Sequence, residues 1–97
     1  MRVIARPRLK AFAADHPDAE AWLNGWWTVA NKARWQHLAD VRRSYNATDV
    51  FGDCTIFDVR GNHYRLIAHI DYAAQIIFIR AILTHREYDR GGWKDDC

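Results

Sequence analysis

The sequence predicts an α+β fold, with two N-terminal helices packed on one face of a small, mainly antiparallel sheet and a short C-terminal helix or tail. Three observations carry this. Apolar residues recur at helical spacing through the first third of the chain, the period changes to strand-like from Val50 onward, and two turn signals divide the later part into three strands. A length of 97 residues leaves room for one modest core, so 1–97 is read as a single domain. The 49% apolar and 13% aromatic composition is that of a packed protein rather than a disordered one.

The apolar start Val3-Ile4 leads into Pro7, tolerated at the first turn of a helix, and Leu9, Phe12, Ala13 and His16 follow at helical spacing. Pro17-Asp18 punctuates the chain, and Asp18 is the expected N-cap of a second helix. Ala19, Trp22, Leu23, Trp26, Ala30 and Ala33 lie along one face of that helix, a core stripe into which Trp22 and Trp26 are read. Residues 34–48 are an irregular or short helical connection. Cys54–Val59 and Tyr64–Ile70 read as strands joined through Arg60-Gly61-Asn62-His63, and Gln75–Leu83 as a third strand reached through Asp71–Ala74.

Several classes are excluded. The longest strongly apolar run, Ile76–Ile79, is far too short to span a bilayer, and no signal-like stretch opens the chain, so a cytoplasmic protein without membrane contact is expected. Cys54 and Cys97 have no C-x-x-C spacing, which argues against a zinc site or disulfide framework; Cys54 is read as a small hydrophobe and Cys97 as a tail residue. No metal or cofactor is expected. The net charge is only +2, but Arg2, Arg6, Arg8 and Lys10, and the cations between Lys32 and Arg43, stand apart from acids at 15–20 and 49–58. Such segregation suits either a phosphate-attracting face or a simple solvated one.

A Gly61-Asn62 turn sets Arg60 opposite His63 and Asp58 opposite Arg65. A turn closed by Asp71 and Ala74 sets Arg65 opposite Arg80. One face then carries Ile56, Asp58, Arg60, His63, Arg65, Ile67, His69, Phe78, Arg80 and Ile82, mixed and open; the other carries Phe57, Val59, Tyr64, Leu66, Ala68, Ile70, Ile77, Ile79 and Leu83, and is covered by the helices. Opposed arginines repel unless an acid such as Asp58 or an anionic ligand compensates. His85 and Tyr88, one helical turn apart, leave the sheet beside the Arg60–His63 turn. An imidazole, a phenol and fixed cations are the inventory for cleaving RNA through its own 2′-hydroxyl, since imidazole as a class titrates near neutrality. The same residues also suit a capping and ion-pair cluster of His85, Glu87 and Asp89, with Tyr88 as a core ring.

The pieces Gly61-Asn62-His63-Tyr64-Arg65-Leu66-Ile67, Ile77-Phe78-Ile79-Arg80 and Thr84-His85-Arg86-Glu87-Tyr88-Asp89, with the His16–Glu20 junction and Trp35, resemble the signature of HigB toxins in the RelE-like group. The resemblance implies a RelE-like fold and an mRNA endoribonuclease that often acts on the ribosome. It also implies a HigA-like helix-turn-helix antitoxin that alone contacts operator DNA. By position it implies His85, Tyr88, Arg65 and Arg80 as catalytic residues; Arg60, His63, Arg86 and Lys94 are the candidate RNA-binding residues. The chain departs from related toxins at Ile56 and Asp58, where those carry lysines. A non-catalytic RNA- or ribosome-binding module and a protein-interaction module are the alternatives.

Overall fold

The β-forming, alternating segment after residue 48 builds the sheet. In the computed structural model, which describes residues 1–97, its strands are β2 (Asp49–Phe51), β3 (Cys54–Val59), β4 (Tyr64–Asp71) and β5 (Ile76–Thr84). They join β1 (Arg2–Ile4) in the order β1-β5-β4-β3-β2. All neighbours are antiparallel except β1, which runs parallel to β5 and pairs Val3 with Ile77. The two outer strands have only three residues each, too short for period two to register, and neither was expected as a strand.

Helix α1 (Arg6–Asp15) is followed by a 3-10 turn at Pro17–Ala19 and then α2 (Glu20–Lys32). Both pack on one sheet face, as the apolar stripe predicts. Leu23, Trp26 and Ala30 of α2 join Phe57, Val59, Leu66, Ala68, Ile70, Ile77 and Ile79 in the main core. The rings of Trp26 and Phe57 meet edge to face at 5.4 Å. Burying each such large side chain contributes roughly 1.5–3 kcal/mol. Trp22 is half-buried beside Tyr45. Asp18 does not cap α2: it lies inside the 3-10 turn, and its carboxylate accepts from Tyr64 and Arg60 instead. The connection after α2 contains α3 (Leu38–Ser44), which buries Val41.

The expected β3–β4 register holds, with Asp58 opposite Arg65. Positive φ in its turn falls on Arg60 and Gly61 rather than on Gly61 and Asn62. The β4–β5 register does not hold as expected. Arg65 stands opposite Leu83, and Arg80 is the extra residue of a bulge between the Ala68–Ile79 and Ile67–Ala81 pairs. The turn closes on Asp71 and Ile76 with Gln75 at φ 59, so it is longer than the sequence suggested. The bulge then shifts the alternation, so that Ile82 packs towards the helices and Leu83 towards the other face.

That second face is not open. Helix α4 (His85–Arg90) and a 3-10 turn at Gly92–Asp96 fold back across it, and Tyr88, Trp93 and Cys97 cover Cys54, Ile56 and Ile67. Cys54 and Cys97 are joined in a disulfide, against the expectation that neither would pair. A separation of 43 residues gives no spacing signal; the fold-back of the tail brings the two together.

Candidate active site

Arg65 is the most deeply buried cation of the site. It projects from the second face of β4 and is only 8% exposed. Its Nε lies 3.1 Å from Asp58 Oδ1, Nη1 donates to the Tyr64 carbonyl and Nη2 to Asn62 Oδ1 at 3.3 Å. Tyr88 lies over the guanidinium, with Arg65 Cζ 4.9 Å from the ring centroid, and Trp93 stacks on Tyr88 at 5.1 Å and 11° between planes. Tyr88 is thus packed against both the Arg65 guanidinium and the Trp93 ring.

His85 is held by the start of α4. Thr84 accepts a hydrogen bond from the Glu87 N–H, and the Glu87 carboxylate accepts one from the Thr84 N–H at 2.9 Å, a reciprocal capping box. The bond from the Thr84 N–H, then the Thr84 hydroxyl, hold the Glu87 carboxyl below its usual pKa. The His85 N–H donates to the His63 carbonyl, which ties α4 to the β3–β4 turn. The His85 ring is exposed, with Nε2 3.2 Å from Asp89 Oδ2. The capping and ion-pair cluster considered from the sequence is thus present, and it fixes His85 and Tyr88 on one helical turn. The T-x-x-E spacing of Thr84 and Glu87 was the legible signal for it.

The remaining candidates separate. Arg80 lies about 10 Å along β5 from Leu83, the residue opposite Arg65, at strand rise per residue. It forms no ion pair within the chain and lines a cavity of about 330 Å³ with Ile67, Leu83, Glu87, Trp93 and Asp96. Arg60 turns to the helical side, where Nη1 donates to Asp18 at 2.9 Å. The Tyr64 hydroxyl donates to the same carboxylate at 2.7 Å; that bond lowers the Asp18 pKa, with Arg60 acting in the same direction, and raises that of Tyr64, where the Arg60 charge acts in the opposite one. His63 Nδ1 lies 2.8 Å from the Arg60 carbonyl. Arg86 is exposed, and Lys94 sits over Phe51 and Trp93 at the β2 edge. The basic N-terminal segment is partly structural, since Arg8 donates to the Ile79 carbonyl and Arg6 stacks on Trp27 at 3.8 Å. Sequence reasoning missed Asn62 as a partner of Arg65 and Trp93 as the cover of Tyr88, neither of which any spacing rule marks.

A sequence profile for HigB toxins, the RelE-like toxic component of a toxin-antitoxin system, matches residues 19–91. The chain belongs to the HigB toxin family. The matched span contains β2 to β5, the Asp58–Arg65 pair and the whole of α4. Curated relatives agree with this membership. The chain is 25% identical to the mRNA interferase HigB of Escherichia coli O6:H1, over 93% of this chain and 90% of that protein. It is 26% identical to the mRNA interferase toxin HigB of Escherichia coli K12, over 92% of this chain and 88% of that one. The same values hold for the mRNA interferase HigB of Shigella flexneri. As a HigB-type toxin it has an antitoxin as counterpart. No helix is long and apolar enough to cross a membrane.

Proposed function

We propose that this HigB-family protein is a cytoplasmic endoribonuclease that cleaves mRNA on the ribosome without a metal or cofactor, and that a HigA-like helix-turn-helix antitoxin restrains it. The observation that carries the reading is the placement of His85 and Tyr88 on one capped turn, with the Tyr88 ring over the Arg65 guanidinium. In the proposed reaction the 2′-hydroxyl attacks the adjacent phosphorus and the bond to the 5′ oxygen breaks. The products are a 2′,3′-cyclic phosphate and a 5′-hydroxyl. His85, oriented by Asp89, transfers the proton; the Tyr88 hydroxyl hydrogen-bonds a phosphate oxygen. Arg65 and Arg80 stabilise the charge that develops on the phosphate, Arg80 without an ion-pair partner in the chain and Arg65 while paired with Asp58. Arg86, His63, Arg60 and Lys94 would hold flanking phosphates, Arg60 only after exchanging its Asp18 partner.

One observation favours a second reading, a non-catalytic RNA- or ribosome-binding module on the same fold. Ile56 is 2% exposed and Asp58 is committed to Arg65, so β3 offers no cation to the site. Expression of the wild type and of His85→Ala from a repressed promoter, with mapping of mRNA 5′ ends, separates the two. New ends that vanish in an equally abundant His85→Ala protein are expected. Growth arrest without new ends would establish the binding module instead. Repeating the assay with purified RNA, with and without ribosomes, tests ribosome dependence.

A further inference from the structure

We propose that residues Gly92–Cys97 form an autoinhibitory strap, latched by the Cys54–Cys97 disulfide over Tyr88 and the Arg80 cavity, and that reduction of this bond admits RNA. The proposal rests on the RNA-cleaving reading above and adds a redox control to it. Its first support is what the strap covers. Trp93 stacks on the Tyr88 ring, and its Nε1 donates to the Tyr88 carbonyl at 3.0 Å. Trp93, Asp96 and Cys97 line the cavity beside the exposed Arg80, so a phosphate entering that cavity would meet an acidic side chain as well as the cation. An RNA strand that stacks a base on Tyr88 has to displace Trp93, and one that seats a phosphate in the cavity beside Arg80 has to move Asp96 away.

The second support is how the strap is held. Its 3-10 turn contains no buried residue. Beyond Trp93, its seat is the β2–β3 turn, where the Asp53 N–H donates to the Cys97 carbonyl at 3.1 Å. Gly52, at φ +55, makes room there, because the Cys97 carbonyl stands where a Cβ would project. Contacts this few give a short segment little protection on their own, and the covalent bond supplies the rest. Cys54 is buried in β3 and Cys97 is half-exposed, so a thiolate reaches the Cys97 sulfur first. With a small dithiol as reductant, a mixed disulfide forms on Cys97 and Cys54 departs as a thiolate. The second dithiol sulfur then releases Cys97. The S–S bond has taken up two electrons and two protons, and the dithiol ends as its own disulfide. In a reducing compartment, disulfides are typically transient or redox-sensing rather than structural.

The test compares oxidised and dithiol-reduced wild type with Cys97→Ser, thiol content being verified by alkylation and mass spectrometry. Two readouts are taken: hydrogen exchange of residues 92–97, and fluorescence anisotropy with a 2′-O-methyl RNA oligonucleotide, which lacks the attacking hydroxyl and stays intact. A strap open in one molecule in ten weakens apparent affinity about tenfold. The expected result is therefore that reduction deprotects the tail and tightens RNA binding by about that factor. Cys97→Ser should match the reduced protein under both conditions. Equal binding in the two redox states, tighter binding when oxidised, or unchanged tail protection overturns the strap and leaves the RNA reading standing. A tail that opens in a protein binding RNA in neither state overturns both.

Discussion

Exchange of Asp58 for Asn should destabilise the protein while strengthening its hold on RNA, because the carboxylate both anchors and neutralises Arg65. The Nε–Oδ1 distance is 3.1 Å, and the side chains of Arg65 and Asp58 are 10% and 32% exposed. The amide keeps the shape and one acceptor oxygen, so the variant loses the charge and not the contact. Hydrogen bonds to charged groups contribute about 1.5–3 kcal/mol against about 0.5–1.5 for neutral ones, and solvent at Asp58 keeps the difference near about 1 kcal/mol. For a domain of this length that corresponds to a fall in Tm of about 4–8 °C, read by circular dichroism. Releasing one positive charge at the proposed phosphate contact should also steepen the salt dependence of RNA binding, by about 0.7 in the log–log slope for a single strand. A variant with unaltered Tm and unaltered slope would refute the reasoning. A fall in Tm with no change in slope would assign Arg65 to the framework and leave Arg80 as the phosphate contact.

Thr84→Ala removes one half of the capping box and should cost about 1 kcal/mol, with faster hydrogen exchange through α4 and weaker cleavage because His85 and Tyr88 ride on that turn. Acid should act at the same place. The Glu87 and Asp18 carboxyls have depressed pKa values when folded, so the stability they contribute is complete above the ordinary carboxylate range, about 4, and is lost as pH falls through their lowered folded values. Denaturant midpoints measured against pH should fall on the acid side, and Asp18→Asn should flatten that fall.

The helices and the β3–β4 hairpin were legible because each has enough residues for its period to register and a buried face that enforces it. Trp26 and Leu23 could be assigned to the core because the stripe along α2 has no interruption. The Asp58–Arg65 pair followed from a register that only one turn had to fix. Strands β1 and β2 were not legible, since three residues carry no alternation and their positions are set by pairing with β5 and β3. The bulge at Arg80 is a different kind of failure. Ile77, Phe78 and Ile79 alternate properly, and nothing in Ile79-Arg80-Ala81-Ile82 says which residue lacks a partner on β4. A one-residue irregularity of this sort reverses every side chain beyond it. Leu83 was consequently placed on the wrong face, and the bulge together with the longer β4–β5 turn put Arg80 opposite the wrong residue.

The tail shows why the site was less legible than the fold. Three apolar residues of the second face, Cys54, Ile56 and Ile67, are as buried as the main core, yet Ile56 and Ile67 read from the sequence as part of an open, mixed surface. Alternation can say that a strand has an apolar residue on each side; it cannot say what will cover the weaker side. Here the covering element is polar by composition, with Lys94, Asp95 and Asp96 around one Trp, and its attachment depends on Trp93, the Cys97 carbonyl and a disulfide rather than on a periodic face. The consequence is functional. The residue types that suggested RNA chemistry, His85, Tyr88, Arg65 and Arg80, are all present on or beside this face, but Trp93 covers Tyr88, and the Arg80 cavity is walled by the same segment. In the proposed strap, Arg80, without an ion-pair partner and beside Asp96, is the site for which the tethered segment and an incoming polyanion would compete. The outcome of that competition is set by how firmly Cys97 is tied to Cys54.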